Sequence, residues 1–120
     1  MPEKLDIEVL DGIVRASVSG VFNLDNAKTF FQQILRRARE EELDRILIDA
    51  RGITTEIPTI ARFEFAAHMA EQHPHAIKIA FVGREDAVWP DRFLEIVSVN
   101  RGVNAKVVTE IEEALNWLAD

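Results

Sequence analysis

Ile46-Leu47-Ile48-Asp49-Ala50-Arg51-Gly52-Ile53-Thr54-Thr55-Glu56-Ile57-Pro58-Thr59-Ile60 is the stretch on which the fold turns. Three consecutive β-favouring apolar residues, Ile46 to Ile48, read as a buried strand. The strand ends in Asp49, and Arg51-Gly52 with Thr54, Thr55 and Thr59 form a polar connection that enters a helix near Pro58. Proline is tolerated in the first turn of a helix because its missing N–H would have no intrahelical partner there. A buried strand followed by a helix is the unit of an α/β sheet, in which ligands and partners meet the loops leaving the carboxyl ends of the strands.

Upstream, Leu5, Ile7 and Val9 alternate with Asp6 and Glu8. After Asp11-Gly12, Val14, Ala16 and Val18 alternate with Arg15, Ser17 and Ser19. Two period-two segments around Asp-Gly predict a hairpin with one buried face, closed at Gly20. Over residues 25–42, Ala27, Phe30, Phe31, Ile34, Leu35 and Ala38 recur at helical spacing, with Lys28, Gln32, Gln33, Arg36 and Arg39 on the other side.

Downstream, residues 45–49, 77–82 and 105–108 are short β-rich runs, each followed by a helical pattern. The second helix is predicted over residues 58–73, with His73-Pro74 as its exit, and the third from near Pro90 to Asn100-Arg101-Gly102, where Gly102 suits a left-handed cap. Thr109 is expected to open the fourth, since Thr109-Glu110-Ile111-Glu112 has capping-box spacing, with Ile111, Ala114, Leu115 and Leu118 facing inward. The order is ββαβαβαβα, an α/β five-stranded mixed sheet whose last three strands run parallel and are covered by crossover helices.

The chain has 120 residues, 48% of them hydrophobic, enough for one core and too few for two ordinary domains, so residues 1–120 read as a single domain. A formal net charge of −7, with basic residues interleaved among acids, gives no footprint for nucleic acid. Without cysteine there are no disulfides, thiolate nucleophiles or sulfur-bound zinc. No apolar stretch approaches a bilayer span and the amino terminus lacks a secretory pattern, so a cytoplasmic protein without membrane insertion is expected.

No glycine-rich phosphate loop, Gly-x-Ser-x-Gly elbow or nucleophile beside a base is present, so neither an enzyme nor a cofactor is implied. His68, His73 and His75 lack the spacing and carboxylate company of a metal site. Asp49, Arg51, Thr54, Thr55, Glu56 and Thr59 gather polar groups beyond a strand end. An exposed threonine there is a candidate for phosphorylation, and the alternative is that these residues cap and turn the chain. Arg84, Asp86 and Trp89 fall in the next strand exit and join the same candidate interaction surface, unless Trp89 folds back over the core. Trp117, at the end of an amphipathic helix, is structural. Pairing of edges or helices would give a homodimer.

The whole-chain pattern, including Leu47-Ile48-Asp49-Ala50-Arg51-Gly52-Ile53, Asn100-Arg101-Gly102 and Glu112-Glu113-Ala114-Leu115-Asn116-Trp117-Leu118, resembles the anti-sigma-factor-antagonist (STAS) superfamily, and within it the SpoIIAA-like branch. The resemblance implies a non-enzymatic regulatory module that binds a protein partner. In such antagonists the same strand-to-helix loop carries an Asp-Ser-Ser-Gly-like element phosphorylated by a partner kinase. A gapless alignment from Asp49 brings Ile57-Pro58-Thr59-Ile60 to that element, so Thr59 matches the phosphoacceptor. Ile57 replaces the acid, Pro58 the preceding serine and Ile60 the glycine, which leaves the element degenerate. The fold is also related to lipid-carrying CRAL-TRIO domains. The second expectation is therefore a carrier of a small apolar or lipid-like ligand, with Phe63, Phe65, Met69, Phe93 and Ile96 as candidate lining.

Overall fold

The computed structural model describes residues 3–72, 77–84, 99 and 103–120. Its elements run β1 (Lys4–Leu10), β2 (Ile13–Gly20), α1 (Leu24–Glu40), β3 (Arg45–Ile53), α2 (Thr59–Gln72), β4 (Lys78–Val82), β5 (Asn104–Val108) and α3 (Ile111–Ala119). The strands form one sheet in the order β1-β2-β3-β4-β5, antiparallel between β1 and β2 and parallel from β2 to β5. This is the expected α/β domain with a mixed sheet.

Asp11 and Gly12 both take positive φ, 53° and 75°, between the paired residues Leu10 and Ile13. That backbone twist matches the strands it joins, which is why Asp-Gly forms the hairpin. Val14, Ala16, Val18, Ile46, Ile48, Ile79, Phe81, Ala105 and Val107 put their side chains on one face, against Phe31, Ile34, Leu35 and Ala38 of α1 and Ala66 and Met69 of α2. Ile13, Leu47, Ala80, Val82 and Val108 point to the other face and pack on Ala114 and Leu118 of α3. Burial on both faces accounts for the unbroken apolar run Ile46 to Ile48.

Two boundaries differ from expectation. β3 does not end at Asp49 but continues to Ile53, because β2 remains paired to it as far as Gly20. Ser17 pairs with Asp49 and Ser19 with Gly52, so two steps along β2 match three along β3. This bulge reverses the alternation and returns Ile53 to the core face of Ile48. Gly52 follows from the crowding there, since a Cβ on it would lie 2.7 Å from the Cβ of Ser19. The second correction is at the last helix, whose N-cap is Glu110 without a side-chain cap, not Thr109 as the capping-box spacing suggested. Val108 and Val82 hold the β4–β5 register one residue before the turn, where Gly83 N–H donates to Val108 O at 2.9 Å. The helix therefore starts one residue late for the box.

Apart from Val99, which is helical and exposed, the predicted third helix from near Pro90 and its Gly102 cap lie outside the described residues, as do His73 and His75.

Candidate functional site: the carboxyl rim and its cavity

The parallel strands β2 to β5 all exit at one end, and the segments leaving them form a rim. Asp49 sits level with Val82, the last residue of β4. Its half-buried carboxylate accepts Arg51 N–H at 3.1 Å, Arg51 Nε at 2.9 Å and Arg51 Nη2 at 2.8 Å. The guanidinium bond, aided by the backbone N–H and by the charges of Arg51 and Arg15, holds the Asp49 carboxyl below its ordinary value against the opposing effect of burial. The same bond raises Arg51 further above its already high value. Asp49 and Arg51 are thus a bidentate pair on a strand, on the face of Leu47, and not members of a loop.

Thr54 and Thr55 tie the exits of β2 and β3 together. Thr54 N–H donates to Gly20 O at 2.9 Å and its hydroxyl donates to the same oxygen at 3.3 Å. Thr55 Oγ1 accepts Phe22 N–H at 3.0 Å. Both hydroxyls serve the turn chemistry that threonine supplies at chain reversals. Thr59 differs. It is exposed, it opens α2, and its hydroxyl has no hydrogen-bond partner among the described residues. Arg62 N–H donates to Pro58 O at 3.1 Å and closes the first turn beneath it. Glu56 is exposed, and Ile60 and Phe63 beyond it are 70% and 43% accessible. Thr59, Ile60 and Phe63 therefore share the outer surface of the first turns of α2. Asp86 and Trp89 lie outside the described residues.

Beneath the rim, between α1, α2 and the sheet, is an open cavity of about 200 Å³. Phe30, Phe31, Phe65 and Phe81 dominate its wall, with Ile34, Ile48 and Ile53 deeper in. The rings meet edge to face, Phe31 on Phe65 at 5.8 Å and Phe65 on Phe81 at 6.4 Å between centroids. That is the favoured contact for ring quadrupoles, so the wall is built from mutually braced aromatics. Of the lining expected from sequence, Phe65 takes part. Phe63 instead faces outward, because two residues on a helix are about 200° apart, and Met69 is fully buried in the core one turn further along. Phe93 and Ile96 lie outside the described residues.

The cavity also has polar members: Glu3 and Arg62, which sequence reading missed, and Thr55, Glu56 and Arg84, which it had placed on the candidate interaction surface. Asn23 N–H donates to Glu3 Oε1 at 2.6 Å, while Glu3 Oε2 is buried and accepts no hydrogen bond among the described residues. Burial raises the Glu3 carboxyl above its ordinary value, only partly offset by the Asn23 bond. Nothing in the alternation of β1 marks Glu3 for burial. The contact arises only when the start of α1 folds back beside it. His68, the one histidine among the described residues, is half-buried and stands edge-on to Phe31, with 6.2 Å between ring centroids. No group of three His, Asp or Glu side chains gathers to hold a metal among the described residues, and no described helix is long and apolar enough to cross a membrane.

The same architecture is found in a crystal structure of an anti-sigma factor antagonist from Mycobacterium paratuberculosis, with a TM-score of 0.70 and 17% sequence identity over 99% of this chain and 96% of that one. At that identity the likeness establishes the STAS-like fold. Among curated protein sequences no match was found. The sequence itself matches the SpoIIAA-like family over residues 13–119, from the second strand of the hairpin to the end of α3. With the fold and nearly the whole length in agreement, the chain belongs to the SpoIIAA-like family.

Proposed function

We propose that this chain is a non-enzymatic regulatory module that docks a protein partner on the carboxyl rim, and that it acts in the cytoplasm. The observation carrying this reading is the exposed surface at the start of α2, where Ile60 is 70% accessible next to the exposed Thr59. An apolar side chain held out by a helix at the functional end of an α/β sheet is the kind of anchor partner surfaces use. Fold kinship with an anti-sigma factor antagonist supports the same class.

Within that surface Thr59 is the proposed site of modification. The other two threonines are occupied by Gly20 and Phe22, whereas a phosphoryl group on Thr59 would meet the positive end of α2. The element Ile57-Pro58-Thr59-Ile60 supplies neither the acid nor the glycine of the usual switch, so docking here depends more on shape than on a conserved phosphate cradle. Affinity capture from the native cell with wild type, Thr59→Asp and Ile60→Glu tests the reading. Both variants should fold with unchanged thermal midpoints and lose a protein that wild type retains. Recovery of the same proteins by all three contradicts it. Mass spectrometry of the captured chain should place any phosphate on Thr59, and phosphate on Thr54 or Thr55 alone contradicts that assignment.

The cavity favours a second reading, a carrier of a small apolar ligand. Its volume of about 200 Å³ is below the roughly 300 Å³ at which drug-sized pockets begin, so the cargo on this reading is small.

A further inference from the structure

What the cavity offers a ligand depends on which polar groups of its wall are already engaged. Glu3 Oε1 accepts Asn23 N–H at 2.6 Å, and Glu3 Oε2 is buried, so it does not face the open space. Arg62 Nε is buried in the same way, and Arg62 and Arg84 both interact with other groups of the chain. Thr55 Oγ1 accepts Phe22 N–H at 3.0 Å, and Gly83 N–H donates to Val108 O at 2.9 Å. Glu56 is exposed, so its carboxylate is met by water. The described lining pairs two arginines, Arg62 and Arg84, with two acids, Glu3 and Glu56, and their formal charges cancel. An anion in the space would find Arg62 Nε out of reach and both guanidinium groups engaged. Burial beside this wall already raises the Glu3 carboxyl, which marks surroundings that disfavour charge.

Resting on the carrier reading, we infer that the cavity binds a small neutral hydrocarbon, one ring with at most a short substituent, and that no hydrogen-bonding group enters with it. The surface left to the ligand is that of Phe30, Phe31, Phe65 and Phe81, whose rings are held in place by the edge contacts of Phe31 on Phe65 and Phe65 on Phe81. The space of about 200 Å³ exceeds the roughly 150 Å³ that holds benzene in an apolar site, which leaves room for a methyl or ethyl group. A hydroxyl carried inside would give up its water and gain no partner in exchange, and a carboxylate would lose more. The cavity therefore selects by what it lacks, and the molecules it rejects are those with a polar head.

The test titrates the full chain with toluene, phenol and benzoate, three probes built on one ring, followed by amide chemical shifts and calorimetry. Wild type should bind toluene, bind phenol about tenfold or more weakly, as burial of an unpartnered hydroxyl requires, and not bind benzoate. Ala27→Phe, which fills the space from the α1 wall, should abolish toluene binding while the amide spectrum stays dispersed. Phe30→Ala removes a ring from the wall and should admit 1-methylnaphthalene, which wild type excludes; this variant decides the location should Ala27→Phe fail to fold. Phenol bound as tightly as toluene, or benzoate bound more tightly than either, overturns the exclusion of polar heads but leaves a carrier. Absence of binding by any probe overturns the inference and the carrier reading together. Undiminished toluene binding by folded Ala27→Phe, or rejection of 1-methylnaphthalene by folded Phe30→Ala, puts the ligand elsewhere and overturns the site.

Discussion

Asp49 and Glu3 titrate in opposite senses, and the difference is measurable. Asp49 is held below its ordinary value in the folded protein, first by the Arg51 guanidinium. Its contribution to stability is therefore present above the unfolded carboxyl range and lost as pH falls through the lowered folded value. Asp49→Asn should cost about 0.5–1 kcal/mol at pH 7, the small figure that a partly exposed ion pair permits, and the difference from wild type should vanish in acid. Glu3 is raised by burial. Protonation then favours the folded state, so its contribution is fully present below the unfolded range and is lost as pH rises through the raised value. Glu3→Gln should gain on wild type between pH 4 and pH 7. Urea titrations of the three proteins at several pH values check both signs. Asp49 was visible in the sequence as a polar residue closing an apolar run, although its partner two residues on proved to share a strand with it. Glu3 was not visible, because its surroundings come from Asn23 and the cavity wall, 20 residues and more away.

At the scale of elements, the hairpin, α1 and the parallel strands were legible because their apolar periods are regular. The carboxyl half of β3 was not. A bulge changes the count along one strand only, and Arg51-Gly52 reads as a turn unless Ser19 is known to press against Gly52. Gly52→Ala should destabilise by about 1–3 kcal/mol, the usual cost of forcing a methyl into packed structure, since the new Cβ would stand 2.7 Å from the Ser19 Cβ and 3.2 Å from its Cα. Ser19→Gly should recover part of that loss in the double variant, and denaturant midpoints measure the coupling. α2 was legible as a helix but not as to its faces, because Ile60 and Phe63 turn outward while Ala61, Ala66 and Met69 are buried. The far end of α3 depends on a strand. Its last turn has no basic residue of its own, and Lys78 Nζ donates to Trp117 O at 2.9 Å and lies 4.5 Å from the Trp117 ring centroid. Lys78→Met should lower stability by about 1–2 kcal/mol through the lost charged hydrogen bond and cation–π contact, with a change in tryptophan fluorescence on the same transition.

Over the whole molecule, the two ends of the sheet have different tasks. The amino ends of β4 and β5 lie near the Lys78–Trp117 clamp, which is internal and structural. The carboxyl ends carry the tied threonines, the exposed first turns of α2 and the mouth of the cavity. The location of that rim follows from the sequence because parallel strands place their exits at one end. The cavity does not follow, since it is a space bounded by residues from α1, α2 and four strands. The central claim is that partners meet the rim. Amide hydrogen exchange of the chain, alone and with the protein captured by wild type but not by Ile60→Glu, tests it most directly. The account predicts added protection confined to residues 54–63 and their neighbours on the rim, with β5 and α3 unchanged. Protection centred on α3 and the Lys78 end, with residues 54–63 unaffected, would contradict it.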